Sequence, residues 1–282
     1  MKNTKYERPL SKILPGAVLL FAAALAIFPF AYMMLVSLTQ KTVLDLNFAD
    51  AEYSLINYNR VFRNFNLAVN LANSIIVTVS ACVLNCIISS MAAYGFAKKR
   101  FPFRDQLFTI YLATLMIPGQ VTLIPVFTIM KKLGLMNTYP ALFLPIINAF
   151  GVFLMRQFMV SLPDELLEAA RIDGCGENRI FISIVIPLIK SVIVSLTIFT
   201  FISCWNDFLW PLVIVTKPQM QTLTLAISAL KGSYSTNYGL VMAGSTLTFL
   251  PPFVLYVFLQ KQFVEGIAIS GIKGLSSIQR RF

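Results

Sequence analysis

Six long apolar stretches separated by short polar ones take up most of the chain: residues 13–38, 71–95, 107–130, 141–159, 180–204 and 239–258. At about 1.5 Å of rise per helical residue, runs of about 20 residues cross a hydrocarbon layer. A backbone in lipid must satisfy its own hydrogen bonds, so the pattern predicts an all-α integral membrane protein of six transmembrane helices forming one domain, residues 1–282. The first run follows Lys2, Lys5, Arg8 and Lys12, and is too long, and lacks the small-residue site, for a cleaved signal peptide. The second is rich in Ser74, Ser80, Ala81, Ser89, Ser90, Ala92 and Ala93, which predicts close packing inside the bundle. Pro118 and Pro125 predict a kinked third span; Pro145 lies in the fourth and Pro251-Pro252 in the sixth. Trp205 and Trp210 close the fifth span and predict an interfacial aromatic belt. Between spans five and six, Leu223, Leu225, Ile227, Ala229 and Leu230 predict a short, partly buried helix.

One long polar passage breaks the pattern, Ser161 to Pro187. Ser161 followed three residues later by Asp164 predicts an N-cap with an acidic partner, with Pro163 in the first turn. Asp164 and Glu165 suit the positive end of a helix dipole. Gly174 or Gly176 ends the helix in a left-handed residue, and a second helix starts near Glu177. The passage is a helical hairpin, at about residues 161–178, between spans four and five. Local features alone fit an ordinary solvated connection equally well.

Composition supports the membrane reading: of 282 residues, 57% are hydrophobic and only 12% charged, half the charge of a soluble domain. The net charge of +11 is explained by topology. With the N-terminus cytoplasmic, sixteen of the 23 Lys and Arg fall on that side. Seven (Lys41, Arg60, Arg63, Lys131, Lys132, Lys217, Lys231) fall on the other. This bias places both termini, the tail 260–282 and the hairpin in the cytoplasm, and nucleic acid is not needed as a partner.

Much chemistry is missing. No His is present, and Cys82, Cys86, Cys175 and Cys204 form no C-x-x-C pair; they read as small buried residues, and no metal site is expected. Gly266 to Lys273 is one residue out of step with a phosphate-binding loop. No nucleophile–base pair appears, so no catalytic residue, no bound cofactor and no enzymatic activity are expected. Ionisable groups inside the spans, the usual sign of ion coupling, are nearly absent; Asp207 lies at a span end. Energy must enter from elsewhere.

Glu168-Ala169-Ala170, Asp173-Gly174, Phe181, Ile184 and Pro187-Leu188 resemble the E-A-A-x-x-D-G…F…I…P-L motif of the inner-membrane permeases of ABC importers. Leu133-Gly134-Leu135 with Asn137-Thr138, Trp205-Asn206 with Phe208-Leu209-Trp210-Pro211-Leu212, and Phe263-Val264 through Gly274 resemble the maltose-type carbohydrate branch, its smaller permease in particular. Cys175 replaces a common Ala, a small-for-small change. The resemblance spans nearly the whole chain. It implies a bacterial or archaeal inner-membrane location and a second homologous permease subunit. It also implies ATPase subunits that carry ATP and Mg, an extracytoplasmic solute-binding protein, and a sugar substrate. The hairpin would be the coupling helix, with Glu168 the carboxylate that meets the ATPase, Ala169 and Ala170 the contact surface, Asp173 a local brace and Gly174 the turn.

For the solute path the polar candidates are Gln120, Asn148, Asn206 and Asp207, although span-end polar groups beside aromatic residues also read as interfacial. Charge-poor spans favour a neutral solute. Three alternatives stay open: an ABC permease for a solute such as glycerol phosphate, an ion-coupled secondary transporter, and a purely structural membrane subunit.

Overall fold

Helix α1 (Leu10–Ser37) and the short α2 (Ile56–Asn64) precede α3 (Leu67–Lys98), which is long and unbroken. α4 (Arg104–Ala113) runs through a 3-10 turn to a break before α5 (Gly119–Lys132). α6 (Tyr139–Phe143) and α7 (Ala149–Val160) follow, then the pair α8 (Asp164–Ile172) and α9 (Glu177–Ile180). A π-helical stretch (Phe181–Val185) leads to α10 (Ile186–Leu188) and α11 (Lys190–Trp205). α12 (Leu209–Ile214), α13 (Leu223–Ser233) and α14 (Tyr238–Ile278) complete the chain. This computed structural model describes residues 10–40, 47–48, 51–64, 66–233 and 237–278, with backbone only for 10–14, 64, 230–233 and 261–278. The charged N-terminal residues Lys2, Lys5 and Arg8, and Arg280 and Arg281, lie outside the described residues.

Three of the six apolar runs are single long helices, and three are bent pairs. Pro15–Ser37, Leu67–Lys98 and Tyr238–Gln260 are each long and apolar enough to cross a membrane. The run expected as a kinked third span turns by 103° between Arg104–Met116 and Gly119–Lys132. The fourth bends by 47° and the fifth by 76°. The cause is local. Ile117 and Ile147 adopt extended backbone at the ends of 3-10 turns, next to Pro118 and after Pro145. Pro125, by contrast, sits inside a continuous α5, and Pro251 and Pro252 inside α14. α14 continues well past residue 258, where the sixth span was expected to give way to a tail. The short helix expected in the loop after span five is α13; α2 was not expected.

The chain divides into two compact units, Met1–Phe65 with Ile227–Thr248, and Asn66–Ala226 with Phe249–Phe282. In the first, Asn57 Nδ2 donates to the carbonyls of Ser37 (2.9 Å) and Thr39 (2.7 Å), and Gly239 admits Thr39 so closely that no side chain would fit there.

The second unit is built around α3, which packs chiefly on α7 and α11. The buried face of α3 is small and polar: Asn70, Asn73, Ser74, Thr78, Ala81, Asn85, Ser89, Ser90 and Ala93. Its exposed face is apolar: Ile75, Ile76, Val79, Val83, Ile87, Ile88 and Met91. This inversion of the usual amphipathic order is what a lipid surround demands, because lipid offers no penalty to Ile and Val while backbone approach rewards small residues. At the crossing with α7, a side chain on Gly151 would overlap Ser89 Oγ and crowd Asn85 Oδ1. Asn85 donates to Thr200 Oγ1 of α11 at 2.9 Å and accepts from Ser89 at 3.0 Å, so the buried amide is satisfied. One apolar cluster gathers near the C-terminal end of α3 (Ala93, Tyr94, Phe108, Met155, Met159, Ile180) and another near its N-terminal end (Val77, Ala81, Leu142, Trp210, Ile214).

Both tryptophans belong inside the protein. Trp205 is 2% exposed and Trp210 8%, and the Trp210 indole N–H donates to the Ala141 carbonyl at 2.8 Å. The expected aromatic belt is therefore replaced by core packing: at the break around residues 206–208 both rings turn inward. All four cysteines are free, with Cys82 and Cys204 buried.

Candidate functional site

The hairpin of α8 and α9 is seated on the C-terminal end of α3. Leu167 (2% exposed) and Ala170 (7%) enter the cluster that holds Tyr94, Met155 and Met159. α8 ends as the glycine spacing requires: Gly174 takes φ 79°, its N–H donates to Arg171 and the Cys175 N–H reaches back to Ala170 at 2.9 Å. This paired closure satisfies the last carbonyls without any side chain.

The beginning of α8 differs from expectation. Ser161 does not cap it; its hydroxyl donates to Phe158 in the preceding helix at 2.8 Å. The residue before the helix is Pro163, which offers no capping side chain. Asp164 looks outward to Lys98 instead: Lys98 Nζ donates to Asp164 Oδ1 and to the Leu162 carbonyl, both at 2.6 Å. The lysine side chain is almost wholly buried while Asp164 stays open. The hydrogen bond from Lys98, and then its charge, hold the Asp164 carboxyl below the usual carboxylate range.

The second arm is anchored through Glu177. Tyr94 donates its hydroxyl to Glu177 Oε2 at 2.8 Å, Lys99 ion-pairs with the same oxygen, and Arg171 of α8 bonds Oε1 at 3.0 Å. The end of α3 thus grips both arms, through Lys98 on one and Tyr94 and Lys99 on the other. Sequence reasoning counted these lysines only as topological charge. The signal for their pairing, acidic residues 65 to 80 positions away, is not readable without the fold.

The outward face of α8 is different in character. Glu168, Ala169 and Asp173 are exposed, and the Glu168 and Asp173 carboxylates have no partner among the described residues. Leu166 is 47% exposed and Ile172 87%. Ala170, expected beside Ala169 on the contact surface, faces inward. Asp173 makes no side-chain hydrogen bond to brace the turn; the backbone does that.

The four solute-path candidates separate. Gln120 and Asp207 line one pocket of about 330 Å³, with Thr122, Pro145, Ile146 and Trp210 among its other walls. The breaks between α4 and α5 and between α6 and α7 fall next to its walls at Gly119 and Ile146. Asn148 instead caps α7, accepting from the Phe150 N–H at 3.0 Å, and Asn206 donates to the Ile202 carbonyl. Asn137, in a left-handed conformation, accepts from the N–H groups of Thr216 and Lys217 and so pins the following loop. Among the described residues no cluster of His, Cys, Asp or Glu is arranged to hold a metal.

Residues 85–269 match the family described as the binding-protein-dependent transport system inner membrane component. The chain belongs to this family. The matched region contains the grip, the hairpin and the pocket. Similar inner-membrane components include an arabinooligosaccharides transport system permease protein of Halalkalibacterium halodurans, 37% identical over 261 residues (90% of this chain, 94% of the relative). A lactose transport system permease protein of Rhizobium radiobacter is 34% identical (94% and 97%). An sn-glycerol-3-phosphate transport system permease protein of Pectobacterium atrosepticum is 38% identical over a shorter stretch (71% and 72%). Among solved structures, a bacterial ABC transporter involved in import of the acidic polysaccharide alginate has a chain with the same fold (TM-score 0.80, 24% identity, 92% of this chain and 100% of that one). The protein is a multi-pass inner-membrane transport component, and its relatives are permeases rather than enzymes.

Proposed function

We propose that this chain is one of two homologous permease subunits of a binding-protein-dependent ABC importer for a sugar or oligosaccharide, and that α8 is its coupling helix. The proposal counts each bent pair as one span, giving six, and sets both termini and the hairpin in the cytoplasm. Separate ATPase subunits would bind ATP and Mg, and an extracytoplasmic solute-binding protein would deliver the solute. The observation that carries this reading is the outward face of α8: an unpaired carboxylate, Glu168, beside exposed Ala169 and, one turn on, Ile172, on a helix held from behind. In water, that apolar face would be a liability; against a groove with a basic rim it is complementary. Ala170 contributes by seating the helix rather than by touching the partner.

The pocket supports a hydroxyl-bearing, uncharged solute. Its walls offer an amide, a hydroxyl and a carboxylate, and no Lys or Arg that a phosphate would need. This observation favours a sugar over glycerol phosphate, despite the relative that carries that name. The wide absence of ionisable groups from the spans speaks against ion coupling.

The test is Glu168→Ala in the purified complex with its ATPase and binding-protein partners. ATP hydrolysis stimulated by the loaded binding protein should fall on the order of tenfold, while the amount of this chain in the membrane stays the same. Undiminished stimulated hydrolysis would remove α8 from the coupling role.

A further inference from the structure

A coupling helix is useful only if its displacement reaches the solute path, and the hairpin has three routes into the rest of its unit. Two are covalent, and both are soft. Backward, the chain passes through the Ser161–Pro163 turn, outside any helix, before joining α7. Forward, it passes through the π-helical stretch Phe181–Val185, then Pro187, which has no N–H to donate, then a 76° bend at Ile189. Such breaks absorb rotation rather than transmit it.

The third route is through side chains, and its directed polar contacts all go into α3. Lys98 holds the first arm by two 2.6 Å hydrogen bonds, one to the Leu162 carbonyl and one to Asp164. Tyr94 and Lys99 hold the second arm at Glu177, and Arg171 closes the same carboxylate onto α8. Beneath these contacts Leu167, Ala170 and Ile180 share an apolar cluster with Ala93 and Tyr94 of α3 and with Met155 and Met159 of α7. α3 itself is unbroken over Leu67–Lys98, and through Asn85 and Ser89 it is bonded or close-packed to both α11 and α7. Near its other end Asn73 donates to the Gln219 carbonyl at 2.8 Å and accepts from the Tyr139 hydroxyl at 2.8 Å.

We infer that Tyr94, Lys98 and Lys99 are positioning residues that clamp the hairpin to α3, so that hairpin and α3 move as one body and α3 carries the stroke to the helices around the solute pocket. The inference rests on the coupling-helix reading above but assigns the transmission to residues outside the hairpin. It also explains why a lysine is buried at this point. Met or Leu would fill the same space, but only a directed donor can tie the end of one helix to a carbonyl and a carboxylate of another.

The experiment uses the assembled complex in lipid vesicles, with the four native cysteines replaced by Ala or Ser. Nitroxide labels are placed at Asn178→Cys on the second arm of the hairpin and Met91→Cys on the exposed face of α3. With the clamp intact, the distance between labels should be the same without nucleotide and with ATP and vanadate. In Lys98→Met/Lys99→Met the distance should change with nucleotide, and binding-protein-stimulated hydrolysis should fall at least about fivefold, the lower end of ordinary coupling between sites. Lys98→Arg/Lys99→Arg should recover both. A constant distance in the Met variant, or a nucleotide-dependent distance with the clamp intact, overturns the inference. Those results are separable from failure of the coupling-helix reading, which shows instead as normal hydrolysis in Glu168→Ala.

Discussion

Two glycines do opposite work in this chain. Gly174 needs its freedom for backbone geometry: φ is 79°, and nothing lies within 4 Å of where a Cβ would be. Gly174→Ala should therefore cost about 1–2 kcal/mol through conformation alone, with Gly174→Asn costing less, in thermal unfolding of the purified protein. Gly151 needs its freedom for space. Gly151→Ala should destabilise by about 1–3 kcal/mol because the added methyl meets Ser89 and Asn85 across the α3–α7 crossing. Pairing it with Ser89→Gly should return part of the loss, which a double-mutant cycle on unfolding would measure. The first of these was legible in the sequence, since a helix followed by Asp-Gly announces its stop. The second was not, because a glycine within an apolar run says nothing about what it faces.

At the level of elements, the start of α8 shows how tertiary contact overrides a local signal. Ser161 and Asp164 have the spacing of a cap, yet Asp164 bonds Lys98 and Ser161 bonds the preceding helix. A charged donor satisfied by a carboxylate and a carbonyl outcompetes a local neutral cap. This gives the hairpin a pH dependence of defined sign. The folded Asp164 carboxyl titrates below its unfolded range, so its stabilising contribution is complete at neutral pH. It is lost as pH falls through the usual carboxylate range toward the folded value. Amide protection in residues 161–178, measured relative to the intrinsic exchange rate at each pH, should fall on acidification. Asp164→Asn should remove the Asp164 share of that response, leaving the share of Glu177, while lowering protection at neutral pH. The broken helices teach a related lesson. Prolines 118, 125, 145, 187, 251 and 252 are equally visible in the sequence. Only those near a residue that leaves helical backbone, such as Ile117 and Ile147, accompany a bend, whereas Pro125, Pro251 and Pro252 sit within continuous helices.

For the whole molecule, the central claim open to test is topology. If each bent pair spans the membrane once, the hairpin and the Thr216–Lys217 loop lie on opposite sides. With the four native cysteines replaced, Ile172→Cys should then react with an impermeant thiol reagent only from the cytoplasmic face, and Lys217→Cys only from the outer one. Labelling of both from one side would show that a bent pair re-enters rather than crosses.

Taken by itself, the sequence determined that this protein is helical and lives in the membrane and which motif links it to ABC permeases, and it set the expected side of each polar stretch. These follow from one-dimensional quantities: run length, the count of Lys and Arg per loop, and residue spacing within the hairpin. Only the tertiary structure decided which spans bend, that both tryptophans turn inward, and that Gln120 joins Asp207 in one pocket while Asn148 and Asn206 serve as local caps. It also decided that Lys98 and Lys99 are clamps as well as charges. The reason is physical: a membrane sorts residues by depth, which the chain order records, whereas a hydrogen bond is made between groups brought together from far along the chain.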